Sequence, residues 1–212
     1  MLARRREFIV LSGADYAGKS TVMRALAEDT GVHLVSVDSE LLPANQTAIP
    51  VLRRTLVSDV LPNVGRTHSF EFAMSVLQTA VVHLRDRVLA LPPDLPVLVD
   101  SYYYKILAKC RLLGPRDHPL YSWWWSFPQP RRVLYLDVSP ETAWERSGRG
   151  ARVNRMEHYG DTPDRAAFLA YQQDLAEELL GRLAHLPVTV VPEQRGADGA
   201  LLAVREVLDD AA

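Results

Sequence analysis

The chain has 212 residues, of which 48% are hydrophobic, with a formal net charge of -2 and an isoelectric point near 6.3. This length predicts a single domain, residues 1–212, around one core. The balanced charge gives no reason to expect nucleic acid or a membrane surface as a partner. The apolar run at residues 8–11 is too short for a signal sequence or a membrane span, and the single cysteine, Cys110, excludes an internal disulfide. A cytoplasmic protein is expected.

Short apolar runs alternate along the chain with longer helical patterns. The runs predict five strands, at residues 8–11, 33–37, 96–100, 133–138 and 188–191. Helices are predicted at residues 20–27, 48–60, 68–91, 103–113, 140–147, 163–185 and 198–210. Pro140 and Pro163 are each expected in the first turn of a helix. The alternation predicts an α/β protein in which helices cover both faces of a five-stranded parallel sheet.

A phosphate-binding loop is predicted between the first strand and the helix that follows it. Residues 13–20 read Gly-Ala-Asp-Tyr-Ala-Gly-Lys-Ser, a full match to the pattern G-x-x-x-x-G-K-[ST]. The glycines let backbone N–H groups cradle phosphate oxygens at a helix N-terminus. Lys19 is expected to reach the β- and γ-phosphates of ATP, and Ser20 to ligate Mg²⁺. The predicted nucleotide contacts are Gly13, Ala17, Gly18, Lys19, Ser20 and Thr21.

Three carboxylates fall at the sheet edge where ligands of parallel α/β proteins bind. Asp15 is either a group near the transferred phosphoryl or its magnesium, or a turn residue bonded to its own backbone. Asp100, at the end of the third strand, would hold Mg²⁺ through water, accept a proton from the acceptor, or only cap the next turn. Asp38 occupies a similar place after the second strand.

Arginine recurs at every third residue from 146 to 155, in a stretch that contains glycines. Such a run is commonly a solvated helix face, but a phosphate-binding loop needs cationic partners. We therefore interpret about residues 146–161 as a mobile lid that closes over ATP and brings guanidinium groups to the transferring phosphoryl. The best candidates are Arg149, Arg152 and Arg155.

Four segments resemble the thymidylate kinase family. Residues 13–21 resemble its G-x-D-x-A-G-K-S-T loop, and residues 134–141 its L-Y-L-D-V-x-P-E segment. Asp-Ser-Tyr at residues 100–102 stands where the family has Asp-Arg-Tyr, and residues 154–157 resemble the D-R-[FI]-E of its lid. The resemblance, over about residues 7–185, implies a three-layer P-loop NTPase fold with an Arg-rich lid and a homodimer. It also implies transfer of the ATP γ-phosphoryl to a nucleoside monophosphate.

This sequence keeps the motifs that bind ATP in the family, but it differs from the family at the positions that bind the acceptor. Ser101 replaces the arginine of Asp-Arg-Tyr, and no arginine accompanies Phe72 on the helix that reads the base in the family. Lys105 and Lys109 stand at positions that are usually small or neutral polar there. The candidate acceptor-binding residues are Phe72, Tyr102, Tyr103, Lys105 and Asp38.

The sequence therefore predicts an ATP-dependent phosphotransferase that acts on a nucleotide or a related small-molecule acceptor. One alternative is a kinase of a nucleoside or other hydroxylated metabolite, because deoxynucleoside kinases use a carboxylate at the position of Asp38 as the base. Another is a nucleotide-binding protein with impaired catalysis. A GTPase switch is disfavoured, since no Asn-Lys-x-Asp motif follows a strand. The candidate catalytic residues are Lys19, Asp15, Asp100, Arg152 and Arg155, and the candidate metal ligands are Ser20 and Asp100.

Overall fold

The structure is a computed structural model that describes residues 7–28 and 31–209. Within these residues the chain forms five strands: β1 (Ile9–Ser12), β2 (His33–Val35), β3 (Val97–Asp100), β4 (Arg132–Leu136) and β5 (Val188–Val191). The same residues form eight α-helices: α1 (Lys19–Ala27), α2 (Ala48–Thr55), α3 (Phe70–Ala90), α4 (Tyr102–Leu113), α5 (Pro119–Trp125), α6 (Pro140–Arg146), α7 (Arg165–Leu183) and α8 (Gly196–Asp209). The predicted closing helix thus begins earlier than expected, and its last predicted residue, 210, lies outside the described residues.

All five strands pair in parallel, as the sequence predicts, and their order in the sheet is β2-β3-β1-β4-β5. The central strand β1 lies between β3 and β4, and Leu11 pairs with Asp100. Because parallel strands end at one edge, the loop after β1 and the carboxylate that ends β3 are neighbours.

Helices cover both faces of the sheet, because alternate residues of each strand point to opposite faces. Val10 and Tyr135 belong to a buried cluster with residues of α3, α4, α5 and α7. Leu11 and Leu134 belong to a second cluster with residues of α1 and α8. Burying one such aliphatic side chain contributes about 1.5–3 kcal/mol. The sheet therefore carries two cores, and the predicted three-layer α/β fold is confirmed.

The predicted helix at residues 48–60 is regular only in its first half. After α2 the chain widens into a π-helical turn at Leu56–Val60 and then tightens into a 3₁₀ turn at Leu61–Asn63. Leu56, Val60 and Leu61 are buried in the core beside α3. Burial of these side chains accompanies the change in helical pitch.

The expectation that Pro163 lies in the first turn of α7 is wrong. Asp164 is the N-cap, and its carboxylate accepts a hydrogen bond from the N–H of Ala167 at 2.8 Å. This side-chain cap begins the helix at Arg165, so the proline precedes it.

Among residues 7–28 and 31–209, no helix combines the length and apolar character needed to cross a bilayer.

Candidate active site

The loop between β1 and α1 adopts the conformation that its glycines predict. Gly13 and Gly18 have φ angles of +143° and +97°. A Cβ on Gly13 would lie 2.7 Å from the carbonyl oxygen of Leu136, so a side chain does not fit there. Gly18 is the N-cap of α1 in the left-handed conformation. The chain therefore turns tightly at both ends of the loop and enters a helix.

Backbone donors at the end of this loop remain free for an anion. The N–H groups of Ala17 and Gly18 donate to no acceptor within the part of the chain that the structure describes. They lie at the N-terminus of α1, where the peptide dipoles place partial positive charge. Free donors at a helix N-terminus fit the phosphate groups of a nucleotide.

Lys19 is the first residue of α1, and its side chain folds back onto the start of the loop. Its side chain is buried, with 8% of the residue exposed, and its ammonium group donates to the carbonyl oxygens of Gly13 at 3.0 Å and Ala14 at 2.8 Å. Burial lowers the pKa of Lys19 well below its usual value, and the charge of Lys105 lowers it further. A bound phosphate would supply the negative charge that favours the protonated amine.

Asp15 lies within the loop and binds two lysines of α4. Its residue is 6% exposed, and its Oδ1 is 2.7 Å from Lys105 Nζ and 2.9 Å from Lys109 Nζ. Burial raises the pKa of Asp15, but the two ammonium groups outweigh it, so the pKa is held well below its usual range. Asp15 is thus a buried anion at neutral pH, and its carboxylate does not serve the alternative of capping its own turn.

Lys105 and Lys109 are one helical turn apart and therefore share a face of α4. Burial lowers the pKa of Lys105, but the Asp15 carboxylate more than offsets this and raises it. Lys109 also lies 3.8 Å from Glu157 of the lid segment. The loop thus has ammonium groups on two sides, one from α1 and two from α4.

Asp100 is held by two hydroxyl groups at the end of β3. Ser36 Oγ donates to Oδ2 at 3.0 Å, and Ser101 Oγ donates to Oδ1 at 2.9 Å. Ser36 Oγ in turn accepts from the N–H of Asp38 at 3.0 Å. Ser101 and Tyr102 both have positive φ, of 57° and 48°, an uncommon pair of conformations for non-glycine residues. The carboxylate is therefore oriented by strained backbone and by the loop after β2.

The oxygen donors at this edge suit Mg²⁺ that arrives with a nucleotide. Ser20 lies half-buried in the first turn of α1, and Asp100 retains acceptor capacity on both oxygens. No group of three or more His, Cys, Asp or Glu side chains arranged for a metal occurs among the described residues. Mg²⁺ bound with one or two protein oxygens plus phosphates and water would need no such group.

Two of the acceptor-binding candidates lie in the core. Tyr102 and Tyr103 are fully buried in the core beneath the sheet. The ring of Tyr102 packs edge-on against Phe8 at 5.4 Å, and the hydroxyl of Tyr103 lies 3.3 Å from Gln129. Their face of α4 packs against the sheet.

Two other acceptor candidates remain accessible. Phe72 is 47% exposed and stacks on His68, with ring centroids 4.7 Å apart. Asp38 is half-buried, and its Oδ1 accepts from the N–H of Glu40 at 3.2 Å.

Arg146 reaches the backbone of the loop with its side chain. It ends α6, and its Nη1 donates to the carbonyl oxygens of Tyr16 at 3.4 Å and Ala17 at 3.3 Å. The side chain of Arg149 is 75% exposed and pairs with Glu145. Arg152 and Arg155 bond to backbone carbonyl groups of their own segment, those of Arg146 and Gly160. From the sequence, these three arginines were ranked above Arg146. The position of Arg146 at the end of the helix after β4 was the signal that could have indicated its contact with the loop.

Tyr16 joins the loop to the lid segment. Its hydroxyl lies 2.7 Å from the carbonyl oxygen of Arg152 and 2.9 Å from Glu157 Oε2. Burial raises the pKa of Tyr16, and the carboxylate of Glu157 raises it further, so the hydroxyl stays protonated. Glu157 also accepts from the N–H of Asn154 at 3.1 Å. The segment after α6 is therefore docked on the loop through a side chain of the loop itself.

A cleft of about 190 Å³ extends from the loop between α1 and α8. Its lining includes Val22, Val138 and Pro192, with Arg146 at one side. Gly18 and Thr21, at the start of α1, are part of the same lining. A mostly apolar cleft continuous with a phosphate site, with one guanidinium group, suits the flat base of a nucleotide.

The fold is that of the P-loop kinases of nucleosides and nucleotides. The chain is similar to thymidylate kinase from Candida albicans, with a TM-score of 0.61 and 16% identity over 98% of this chain and 92% of that one. It is also similar to deoxyadenosine kinase from M. mycoides with dCMP and dCDP bound, with a TM-score of 0.64 and 13% identity over 97% of this chain and 100% of that one. Against the same kinase with bound dATP, the TM-score is 0.61, with 16% identity over 95% and 99% of the two chains. No family model and no curated protein matches the sequence.

Proposed function

We propose that this protein is a phosphotransferase that moves the γ-phosphoryl group of ATP to a nucleotide or a related small-molecule acceptor. The observation that carries the proposal is the contact of Lys105 and Lys109 with Asp15 inside the phosphate-binding loop. This contact brings the ammonium groups of Lys105 and Lys109 to the same site as that of Lys19. Fixed cations beside a transferring phosphoryl group stabilise the charge that develops on its oxygens.

The nucleotide end of the site would be built by the loop and the cleft. The N–H groups of Ala17 and Gly18 and the amine of Lys19 would bind the phosphates, and Thr21 and Arg146 would flank the base. Ser20 and Asp100 would hold Mg²⁺, which neutralises phosphate charge and orients the phosphates when bound.

The acceptor end would lie on the side of α3 and α4. Lys105 would attract an anionic acceptor, Phe72 would stack on a ring, and Asp38 would bind a polar group. The acceptor oxygen would attack the γ-phosphorus while the bond to the β-phosphate oxygen breaks, and ADP would leave. Residues 146–161 would close as a lid, so that the side chains of Arg149, Arg152 and Arg155 exchange their present partners for phosphate oxygens.

A hydroxyl acceptor is a second candidate, and the setting of Asp100 favours it. A carboxylate held by two serine hydroxyls has a fixed orientation, and a hydroxyl group that attacks phosphorus must give up its proton to a base. Asp100 or Asp38 would take that proton. The likeness of the fold to deoxyadenosine kinase is consistent with this candidate.

An acceptor screen tests the proposal. ADP release from ATP and Mg²⁺ would be measured with nucleoside monophosphates, nucleosides and small hydroxylated metabolites. We expect one class to stimulate release, and Lys19→Ala to abolish the stimulated rate while the melting temperature stays near that of the wild type. Arg24→Ala, an exposed change on the same helix, should keep the activity. Tight ATP binding with no stimulation by any acceptor would favour a nucleotide-binding protein without catalysis.

A further inference from the structure

Gln172 is a buried amide on a helix face that is otherwise apolar. It is 1% exposed, and its neighbours on that face of α7 include Phe168 and Leu175. Its Oε1 accepts from the N–H of Asp15 at 3.0 Å, and its Nε2 donates to Asp15 Oδ2 at 3.2 Å and to the carbonyl oxygen of Glu157 at 3.1 Å. One side chain of α7 thus binds the phosphate-binding loop twice and the lid segment once.

These hydrogen bonds determine the orientation of the Asp15 carboxylate. Oδ2 is held by Gln172, and Oδ1 is left for both lysines. The bond to the N–H of Asp15 also fixes the backbone from which the carboxylate extends. If Gln172 were absent, the carboxylate could rotate, and Lys105 and Lys109 would lose their common partner atom.

We propose that Gln172 is a positioning residue for phosphoryl transfer, which orients Asp15 and through it Lys105 and Lys109. The inference rests on the proposed function. Packing alone would favour leucine or methionine here, because burying an amide costs free energy unless its hydrogen bonds are made. Since each polar atom of Gln172 is bonded to the loop or to the lid segment, its hydrogen bonds are the property to test.

The first test compares Gln172→Leu with Gln173→Leu, its exposed neighbour. A misplaced group near the reacting atoms can cost on the order of a hundredfold in rate. We expect Gln172→Leu to lower kcat about tenfold to a hundredfold, with the nucleotide Kd changed less than about threefold, and Gln173→Leu to leave both near wild type. An unchanged kcat in folded Gln172→Leu would overturn the inference.

The second test, Gln172→Glu, keeps the shape of the side chain and makes its hydrogen bonding depend on pH. The charged and titratable groups around this position are Asp15 and Tyr16 of the loop, Lys105 and Lys109 of α4, Glu157 of the lid segment and Tyr171 of α7. The new carboxyl oxygen would face Asp15 Oδ2 and the Glu157 carbonyl oxygen, two acceptors, so the protonated form is favoured. Protonated glutamic acid can donate to Asp15 as the amide does.

We therefore expect kcat of Gln172→Glu, relative to wild type at each pH, to recover as the pH falls from about 8 to about 6. A purely structural role would give a loss that does not depend on pH, and that outcome would overturn the inference.

Amide hydrogen exchange at Asp15 separates this inference from the proposed function. If the wild type transfers no phosphoryl group to any acceptor, the proposed function fails, yet the Asp15 amide still reports on Gln172. We expect exchange at that amide to be at least about tenfold faster in Gln172→Leu and unchanged in Gln173→Leu. Equal rates in wild type and Gln172→Leu would show that Gln172 does not hold the loop.

Discussion

At the scale of single residues, the site is defined by buried and mostly buried charges that come from separate parts of the chain. Asp15 lies in the loop, Lys19 begins α1, and Lys105 and Lys109 lie on α4. Each charge is costly to bury alone, and the Asp15 carboxylate stabilises the ammonium groups of Lys105 and Lys109. A change to Asp15 should therefore affect stability, and a change to Lys19 should affect ligand binding, each in a way that depends on pH.

Replacing Asp15 with asparagine should destabilise the fold. Asparagine keeps the shape but removes the charge, so the mostly buried ammonium groups of Lys105 and Lys109 lose their anion. Removing one partner of a buried ion pair typically costs about 3–5 kcal/mol, and urea unfolding at pH 7 would measure the loss. Glu40→Gln, which removes an exposed partner of Arg24, is the control and should cost less than about 1 kcal/mol.

The pH dependence of that loss follows from the lowered pKa of Asp15. A carboxylate whose pKa is lower in the folded than in the unfolded chain adds stability above its unfolded value, 3.8, and loses it as the pH falls through the folded value. The difference between wild type and Asp15→Asn should therefore be constant from neutral pH to about 5 and shrink only in stronger acid. A difference that vanished near pH 6 would contradict the assignment.

Nucleotide binding should be coupled to proton uptake by Lys19. Its pKa is lowered by burial and by Lys105, and phosphate charge placed beside it would raise the pKa again. Calorimetric titration with ATP at about pH 8, above the phosphate pKa of about 6, in two buffers of different ionisation enthalpy would count the protons. We expect uptake in the wild type and little in Lys19→Met. Uptake of the same size in the variant would assign the proton to another group.

At the scale of elements, the end of α6 and the segment after it pack against the loop between β1 and α1. Gly148, Gly150 and Gly160 all have positive φ, and a Cβ on Gly150 would lie 2.8 Å from the ring of Trp144. These glycines allow the chain to fold tightly between α6 and α7. Tyr16 and Glu157 then join this segment to the loop, so a lid movement would break identifiable bonds.

The position of Arg146 predicts a larger role in nucleotide binding than that of Arg149. Arg146 contacts the loop and lines the cleft, whereas Arg149 pairs with Glu145 on the surface. Losing a charged contact costs about 1.5–3 kcal/mol, or roughly tenfold or more in affinity. Arg146→Ala should weaken ATP binding by about that factor, and Arg149→Ala by less than about threefold. Equal effects in a fluorescence titration would contradict this ranking.

At the scale of the whole molecule, the nucleotide half and the acceptor half of the site differ in how closely they follow the thymidylate kinase pattern. The loop, β4 and α1 keep the pattern, while Ser101, Lys105 and Lys109 replace it on the other side. Lysine provides a point charge, where arginine provides a planar pair of donors. The acceptor should therefore differ from thymidylate in the group that α4 contacts.

Steady-state kinetics would test this difference. We expect a kcat/KM for thymidylate below roughly 10⁵ M⁻¹s⁻¹ and a higher value with another acceptor from the screen. Ser101→Arg, which restores the missing guanidinium group, should raise the value for thymidylate. Efficient phosphorylation of thymidylate by the wild type would mean that the lysines replace the arginine fully.

The sequence by itself determined the parallel sheet and the tight turns of the loop between β1 and α1. Short apolar runs separated by helical patterns specify the sheet, and the glycines of residues 13–18 specify their own backbone turns. The role of Asp15 could not be derived in this way, because its partners Lys105, Lys109 and Gln172 are distant in sequence; Gln172 is 157 residues away.

Only the tertiary structure decided which neighbouring side chains face the site. The pattern after β3 offered Tyr102, Tyr103 and Lys105 together, and packing of α4 on the sheet buries the tyrosines while it leaves the lysine at the loop. The arginine run likewise favoured Arg149 over Arg146, whereas the structure places the side chain of Arg146 against the loop. The orientation of a helix depends on the whole core that it packs against, so such distinctions are made by long-range packing rather than by local pattern.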